Sequence, residues 1–152
     1  MRRSQNEIHD KNEIIKFLSE TNIGRIAFFD KDFPYVVPVH FVFNDDCVYF
    51  HCAKEGKKIK LIKENPKVCF EADKEKAIIP NEKACRWSSD FISVIAFGTA
   101  SLLENNNNEK EKALTLLLKK FSGRADWEFS KANLDEVSVV KIEISEITGK
   151  HS

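Results

Sequence analysis

The apolar positions of the chain follow two rhythms, one helical and one of period two. Ile14, Ile15, Phe17 and Leu18 make a single helical stripe, and Asp10 and Glu13 stand ahead of it with N-cap and N3 spacing. A short helix is therefore predicted, stopped by Thr21-Asn22. Strands are predicted at Ile23–Phe29, Tyr35–Phe43 and Cys47–Ala53, with a turn over residues 30–34 and a tight hairpin at Asn44-Asp45-Asp46. Lys57–Asn65 reads as a short helix closed by Asn65-Pro66. Lys67–Ala72, the unusually long Phe91–Leu103 and the alternating Glu136–Ile147 complete a set of six strands. Asn108 and Glu111 repeat the capping spacing before Leu114, Leu117, Leu118 and Phe121. That predicts a third helix, with the asparagines at 105–108 as its loop and cap and Gly123 at its end.

Six strands and three helices without βαβ alternation predict a mainly β fold, an antiparallel barrel or sheet with helices packed outside. Neither GxGxxG nor GxxxxGK[ST] occurs, so the usual dinucleotide and nucleoside-triphosphate loops are absent. The 152 residues suit one domain spanning 1–152, with no repeat or linker dividing them. Balanced charge, 24 basic against 24 acidic residues, removes the case for a broad polyanion surface. No apolar run approaches the roughly 20 residues of a membrane span, and the charged N-terminus has no signal-peptide core. Cys47, Cys52, Cys69 and Cys85 form no CxxC pair. The expectation is a cytoplasmic protein that binds neither membrane nor nucleic acid.

The densest chemistry lies between Tyr35 and Asp73. A two-residue turn at Asp45-Asp46 would pair Asn44 with Cys47, and extending that register would set His40 opposite His51 and Val39 opposite Cys52. Val39, Phe41, Phe43, Val48, Phe50 and Cys52 then share an apolar face, while Pro38, His40, Val42, Tyr49 and His51 share the other. The second face reads either as a ligand wall or as two half-buried strand histidines. A metal on the histidine pair would need a third ligand from Cys85, His9 or a carboxylate, and nothing in the sequence selects one. Beyond this strand, Gly56, Lys57 and Lys58 open a helix. They read either as a phosphate cradle of free amides and two ammonium groups or as a solvated basic face. Trp87 precedes the long strand, where a ring-shaped ligand or ordinary packing would use it. Gly98 marks a crowded point or bulge, and Trp127 is assigned to the core.

The linked series GRIAF…PYVVPVHFVF…VYFHCAKEGKKIKLIKENPKVCFEAD…W…SVIAFGTASLL…EKALTLLLKKF…ITGK resembles the nitroimidazole-reductase (Nim) family of FMN-binding split barrels, relatives of pyridoxamine 5′-phosphate oxidase. The resemblance runs from about Arg3 to Lys150. It implies a six-stranded split β-barrel that forms a homodimer, with FMN in clefts at the subunit interface. Pro38, Val39, His40 and Phe41 would lie along the isoalloxazine and offer backbone hydrogen bonds. His51 and Cys52 would lie near the ribityl chain and phosphate, and Gly56, Lys57 and Lys58 would hold the phosphate. Ser93 would contact the flavin, and Trp87 would approach the ring, from the partner subunit.

The implied activity is FMN-dependent reduction of small electron-poor compounds, nitroimidazoles among them, with a nicotinamide nucleotide or other reductant as donor. A histidine at the position of His40 is a catalytic candidate in this family. Cys52 stands where Ser or Thr is common, which removes a hydroxyl contact. The chain ends at ITGKHS without the Trp- and Arg-bearing segment of true pyridoxamine phosphate oxidases, so that oxidation is not expected. The alternative is a non-catalytic flavin- or haem-binding split barrel, for which His40, His51 and His151 would be the axial candidates.

Overall fold

The computed structural model describes residues 4–104 and 107–152. Four α-helices and eight strands follow in the order β1 (Glu7–Ile8), α1 (Lys11–Glu20), β2 (Ile23–Phe28), β3 (Tyr35–His40), β4 (Val42–Asn44), β5 (Cys47–Cys52), α2 (Lys57–Glu64), β6 (Lys67–Ile79), β7 (Ser88–Leu102), α3 (Asn107–Ser122), α4 (Lys131–Glu136) and β8 (Ser138–His151). The ladders among them are antiparallel and run β3-β2-β6-β7-β8-β5-β4, with β1 paired to β8. The sheet wraps around a core without closing.

Period-two alternation builds that core. Ile26, Phe28, Phe41, Val48, Phe50, Phe70, Val94 and Ile142 point inward as one cluster, capped by Ile14, Phe17 and Leu18 of α1 and by Ile59, Leu61 and Ile62 of α2. β5 is buried on both faces because α3 and α4 cover its outer side. Cys47 and Tyr49 there join Val42, Leu114, Leu117, Leu134 and Val139 in a second cluster. Burial on two faces explains why CVYFHC reads as almost continuously apolar.

Most predicted elements stand, with four corrections. The second strand breaks at Phe41, so its two halves serve different neighbours: β3 pairs with β2 and β4 with β5. The fourth strand runs on to Ile79 in an exposed arm paired only with β7, where alternation disappears because neither face is buried. Asn108 lies inside α3 rather than capping it; residues 105 and 106 of the asparagine run fall outside the described residues. Trp127 lies on the surface between α3 and α4, with Arg124 over its ring and its indole N–H donating to Ser122. Two small elements went unread, β1 and α4.

Gly98 sits where the β7–β8 register shifts, and a Cβ there would run into the Glu143 carbonyl and the Ile142 side chain. Glycine is required by that close approach.

Candidate functional site

Asn44 pairs with Cys47 across Asp45 and Asp46, both at positive φ (49° and 56°), the conformation of a type I′ hairpin. The register holds only as far as Val42–Tyr49. His40 pairs instead with Ile23, and His51 with Val139, because β3 leaves β5 at Phe41. The predicted apolar face is otherwise correct: Val39, Phe41, Val48, Phe50 and Cys52 are core residues, with Phe43 packed against them. The predicted ligand wall divides. Val42 and Tyr49 are covered by α3, whereas Pro38, His40 and His51 remain exposed.

The tertiary structure reunites the two histidines by another route. Both line a cavity of about 310 Å³ between β3, β5, α3 and α4, whose floor is the leucine stripe of α3. The His40 ring stacks on Phe121, centroids 4.9 Å apart and planes 24° from parallel. Neither Cys85 nor His9 joins them, and no cluster able to hold a metal occurs among the described residues. His151 pairs with Ile92 at the far end of β8, away from this cavity.

Lys120, next to Phe121, is a residue that sequence reading missed. Its ammonium donates to the carbonyls of Leu18 (3.0 Å), Thr21 (2.6 Å) and Phe41 (3.0 Å) and lies 4.1 Å from the Phe41 ring centroid. It ties the end of α1 and the β3–β4 break to α3. Burial pulls its pKa down to about 8. The sequence signal was weak, one more lysine in an amphipathic helix.

A second constellation lies where β5 passes into α2. Gly56 is the N-cap of α2 at φ 126°, and open space surrounds its α-carbon. No side chain caps the helix, so the amides of its first turn are open. Lys57 is engaged locally. Its ammonium is 2.6 Å from the Asp30 carboxylate and 4.6 Å from the centre of the Tyr35 ring, and the shared hydrogen bond lowers the Asp30 pKa and raises that of Lys57. Lys58 has no acidic partner among the described residues. It is half-buried, 5.9 Å from the Phe50 ring centroid, near enough to the Cys52 thiol to oppose the upward pKa shift that burial gives it.

Directly across the ladder from Cys52 is Ser138, 1% exposed, whose hydroxyl has no hydrogen-bond partner. The pair places an orphaned hydroxyl beside the cysteine that replaces the expected Ser or Thr. Open helix amides, an unpaired ammonium and this hydroxyl suit a phosphate dianion, and the donor set fits the phosphate end of a flavin mononucleotide.

The remaining candidates fall on the outward face of the sheet. β3 is an edge strand, so backbone groups on its outer side lie outside the ladder. Val39 and Phe41 have buried side chains and can offer a ligand only their backbone, and the Phe41 carbonyl already accepts from Lys120. Pro38 faces outward in one row with Arg25, Glu71 and Ile95. Arg25 is ion-paired to both Glu71 (2.9 Å) and Asp73 (2.5 Å). Ser93 is half-buried on the same face, between Asp73 and Lys150. Trp87 is 57% exposed on the β6–β7 arm beside the equally bare Ile78 and Ile79, apart from the His40 cavity.

An open antiparallel sheet wrapped on one core, with helices over β5 and a phosphate-type cradle after it, is the architecture of a split β-barrel. The sequence profile of the pyridoxamine 5′-phosphate oxidase family matches residues 10–151, and the chain belongs to that family. No curated protein matches it in sequence. Among solved structures, a candidate 5-nitroimidazole antibiotic resistance protein from Bacteroides thetaiotaomicron superposes with a TM-score of 0.83 at 25% identity, over 95% of this chain and 86% of that one. The flavocytochrome Anf3 from Azotobacter vinelandii (TM-score 0.84, 18% identity, 100% and 72% covered) shares the fold. So does the FAD and heme binding protein from Mycobacterium smegmatis (0.87, 16%, 97% and 73%).

Proposed function

We propose that the protein is an FMN-dependent reductase of small electron-poor compounds, nitroimidazole-like molecules included. The observation that carries this reading is the β5–α2 cradle, in which α2 opens with uncapped amides and Lys58 lies near Cys52, the ladder partner of the orphaned Ser138. Family membership supplies the scaffold but not the reaction, and likeness to a 5-nitroimidazole resistance protein supports the substrate class. When bound, FMN supplies the hydride and electron transfer. Gly56, Lys57 and Lys58 would hold its phosphate, His51 and Cys52 would border the ribityl chain, and the backbone from Pro38 to Phe41 would address the ring. His40 carries a proton at the mouth of the α3–α4 cavity and delivers it to the reduced substrate. A nicotinamide nucleotide or another soluble reductant is the proposed donor.

The proposed unit is a homodimer, with Ser93 and the partner's arm bearing Trp87 completing each site. Exposed Ile23, Val36, Ile95 and Phe97 on the outward face, and Ile78, Ile79 and Trp87 on the arm, give a second copy apolar surface to cover.

The absorption spectrum of the purified protein tests the cofactor. A yellow flavin spectrum, gained or enhanced with added FMN, is expected, and a protein that takes up no FMN overturns the reading. After anaerobic reduction, a nitroimidazole should reoxidise it. Replacing His40 with Ala should preserve FMN uptake and slow that reoxidation; turnover at the unaltered rate removes His40 from the chemistry.

The second reading is a carrier without turnover, holding flavin or haem. The two histidines in one cavity favour it, but that cavity is at the small end for ligand pockets. An intense Soret band, or flavin that no substrate reoxidises, would select it.

A further inference from the structure

We propose that the cavity between α3, α4 and the ends of β3 and β5 is a binding site for a small, flat heteroaromatic molecule. The ligand would stack against Phe121, direct a hydrogen-bond acceptor toward His40 and His51, and direct an N–H donor toward Glu136. This deepens the reductase reading by locating where an aromatic substrate sits, and it rests on that reading only for the chemistry that follows binding.

Size is the first argument. About 310 Å³ accommodates one or two fused rings. Its leucine floor belongs to α3, and Phe121 and Phe129 supply aromatic surface from either side of the α3–α4 connection.

Chemistry is the second. Most ligand pockets join apolar walls to a few convergent polar groups, and four side chains here keep at least one polar atom free of the fold. Neither the His40 nor the His51 imidazole has a hydrogen-bond partner among the described residues. Asn133 uses its side-chain oxygen to close the capping box with Ser130, leaving its amide hydrogens to donate. Glu136, the last residue of α4, has no ion-pair partner among the described residues. Two imidazoles from the strands, and an amide donor and an unpaired carboxylate three residues apart on α4, read a molecule bearing both an acceptor and a donor. They disfavour one whose only polar group is an anion.

Rigidity is the third. Phe121 is 40% exposed, an unusual place to hold a ring still, yet it is stacked on His40, and the turn of α3 that carries it is tied down by Lys120, whose ammonium is caged by three carbonyls. A platform set before the ligand arrives lowers the ordering cost of binding.

The test uses flavin-free protein, so its outcome is separate from that of the FMN reading. Two fused bicyclic probes are titrated while imidazole and side-chain amide resonances are followed: quinazolin-4-one, which has a carbonyl acceptor and an N–H donor, and 2-naphthoate, whose only polar group is the carboxylate. Quinazolin-4-one should shift His40, His51 and Asn133 and bind more tightly than 2-naphthoate. Phe121→Leu, which keeps apolar bulk, should weaken quinazolin-4-one about three- to ten-fold, and Glu136→Gln should narrow the difference between the probes. Shifts confined to other surfaces, equal affinity for both probes, or unchanged affinity in Phe121→Leu would overturn the proposal. Glu136 is exposed on the surface, so the Gln variant remains informative if the Phe121 variant fails to fold.

Discussion

Lys120 shows how one side chain connects packing to the site. Its three carbonyl acceptors belong to α1, to the residue after it and to the strand break that carries His40. Lys120→Met keeps the length but leaves those carbonyls without their donor, so a loss of about 1–3 kcal/mol is expected in denaturant unfolding. Burial also gives the loss a pH signature. With the folded pKa near 8 and the free value 10.5, the unfolded chain binds more protons between those limits. Native stability should therefore rise with pH across that window in the wild type, and this component should vanish in the methionine variant. A matching argument separates the two cradle lysines. Lys57 is shared with Asp30 and Lys58 is not, so Lys58→Ala should weaken FMN roughly ten- to a hundred-fold, and Lys57→Ala by less. Equal effects in a fluorescence titration would mean that Asp30 releases Lys57 to the phosphate.

At the scale of elements, legibility followed burial. The β4–β5 hairpin was readable because alternation and turn chemistry agree, down to the Asn44–Cys47 pair. Register beyond it was not, since nothing local in YVVPVHFVF announces that Phe41 leaves the ladder. The arm of β6 was invisible because both its faces meet solvent. α4 carried a signal that went unread, Ser130 and Asn133 at capping-box spacing ahead of Leu134. Gly98 was legible as a special position, though not which neighbour made it so. Gly98→Ala should cost roughly 1–3 kcal/mol through overpacking against β8, seen as a lower denaturation midpoint. Wild-type stability in that variant would mean the bulge yields to the added methyl.

At the scale of the molecule, the outward sheet face is the least finished surface. A groove of about 510 Å³ there lies between Phe29, Phe33 and Phe97, and Ile78, Ile79 and Trp87 of the β6–β7 arm are left exposed by the described residues. Phe97 is 48% exposed, so Phe97→Glu should leave the monomer folded. If the proposed homodimer forms through this face, the variant should sediment as a monomer and lose FMN affinity together; an unchanged dimer would move the interface elsewhere. No helix among the described residues is long and apolar enough to cross a membrane.

By itself the sequence determined the local commitments of this protein: its antiparallel strands, the type I′ turn, the inward face from Val39 to Cys52 and the basic opening of α2. Each follows from spacing within a few residues, where backbone geometry links neighbours directly. Only the tertiary structure decided which lysine is held by Asp30, that Ser138 sets a hydroxyl beside Cys52, and that His40 and His51 meet in a cavity although no ladder joins them. These depend on contacts between residues far apart in the chain, whose pairing is chosen by how the sheet curls and where α3 docks.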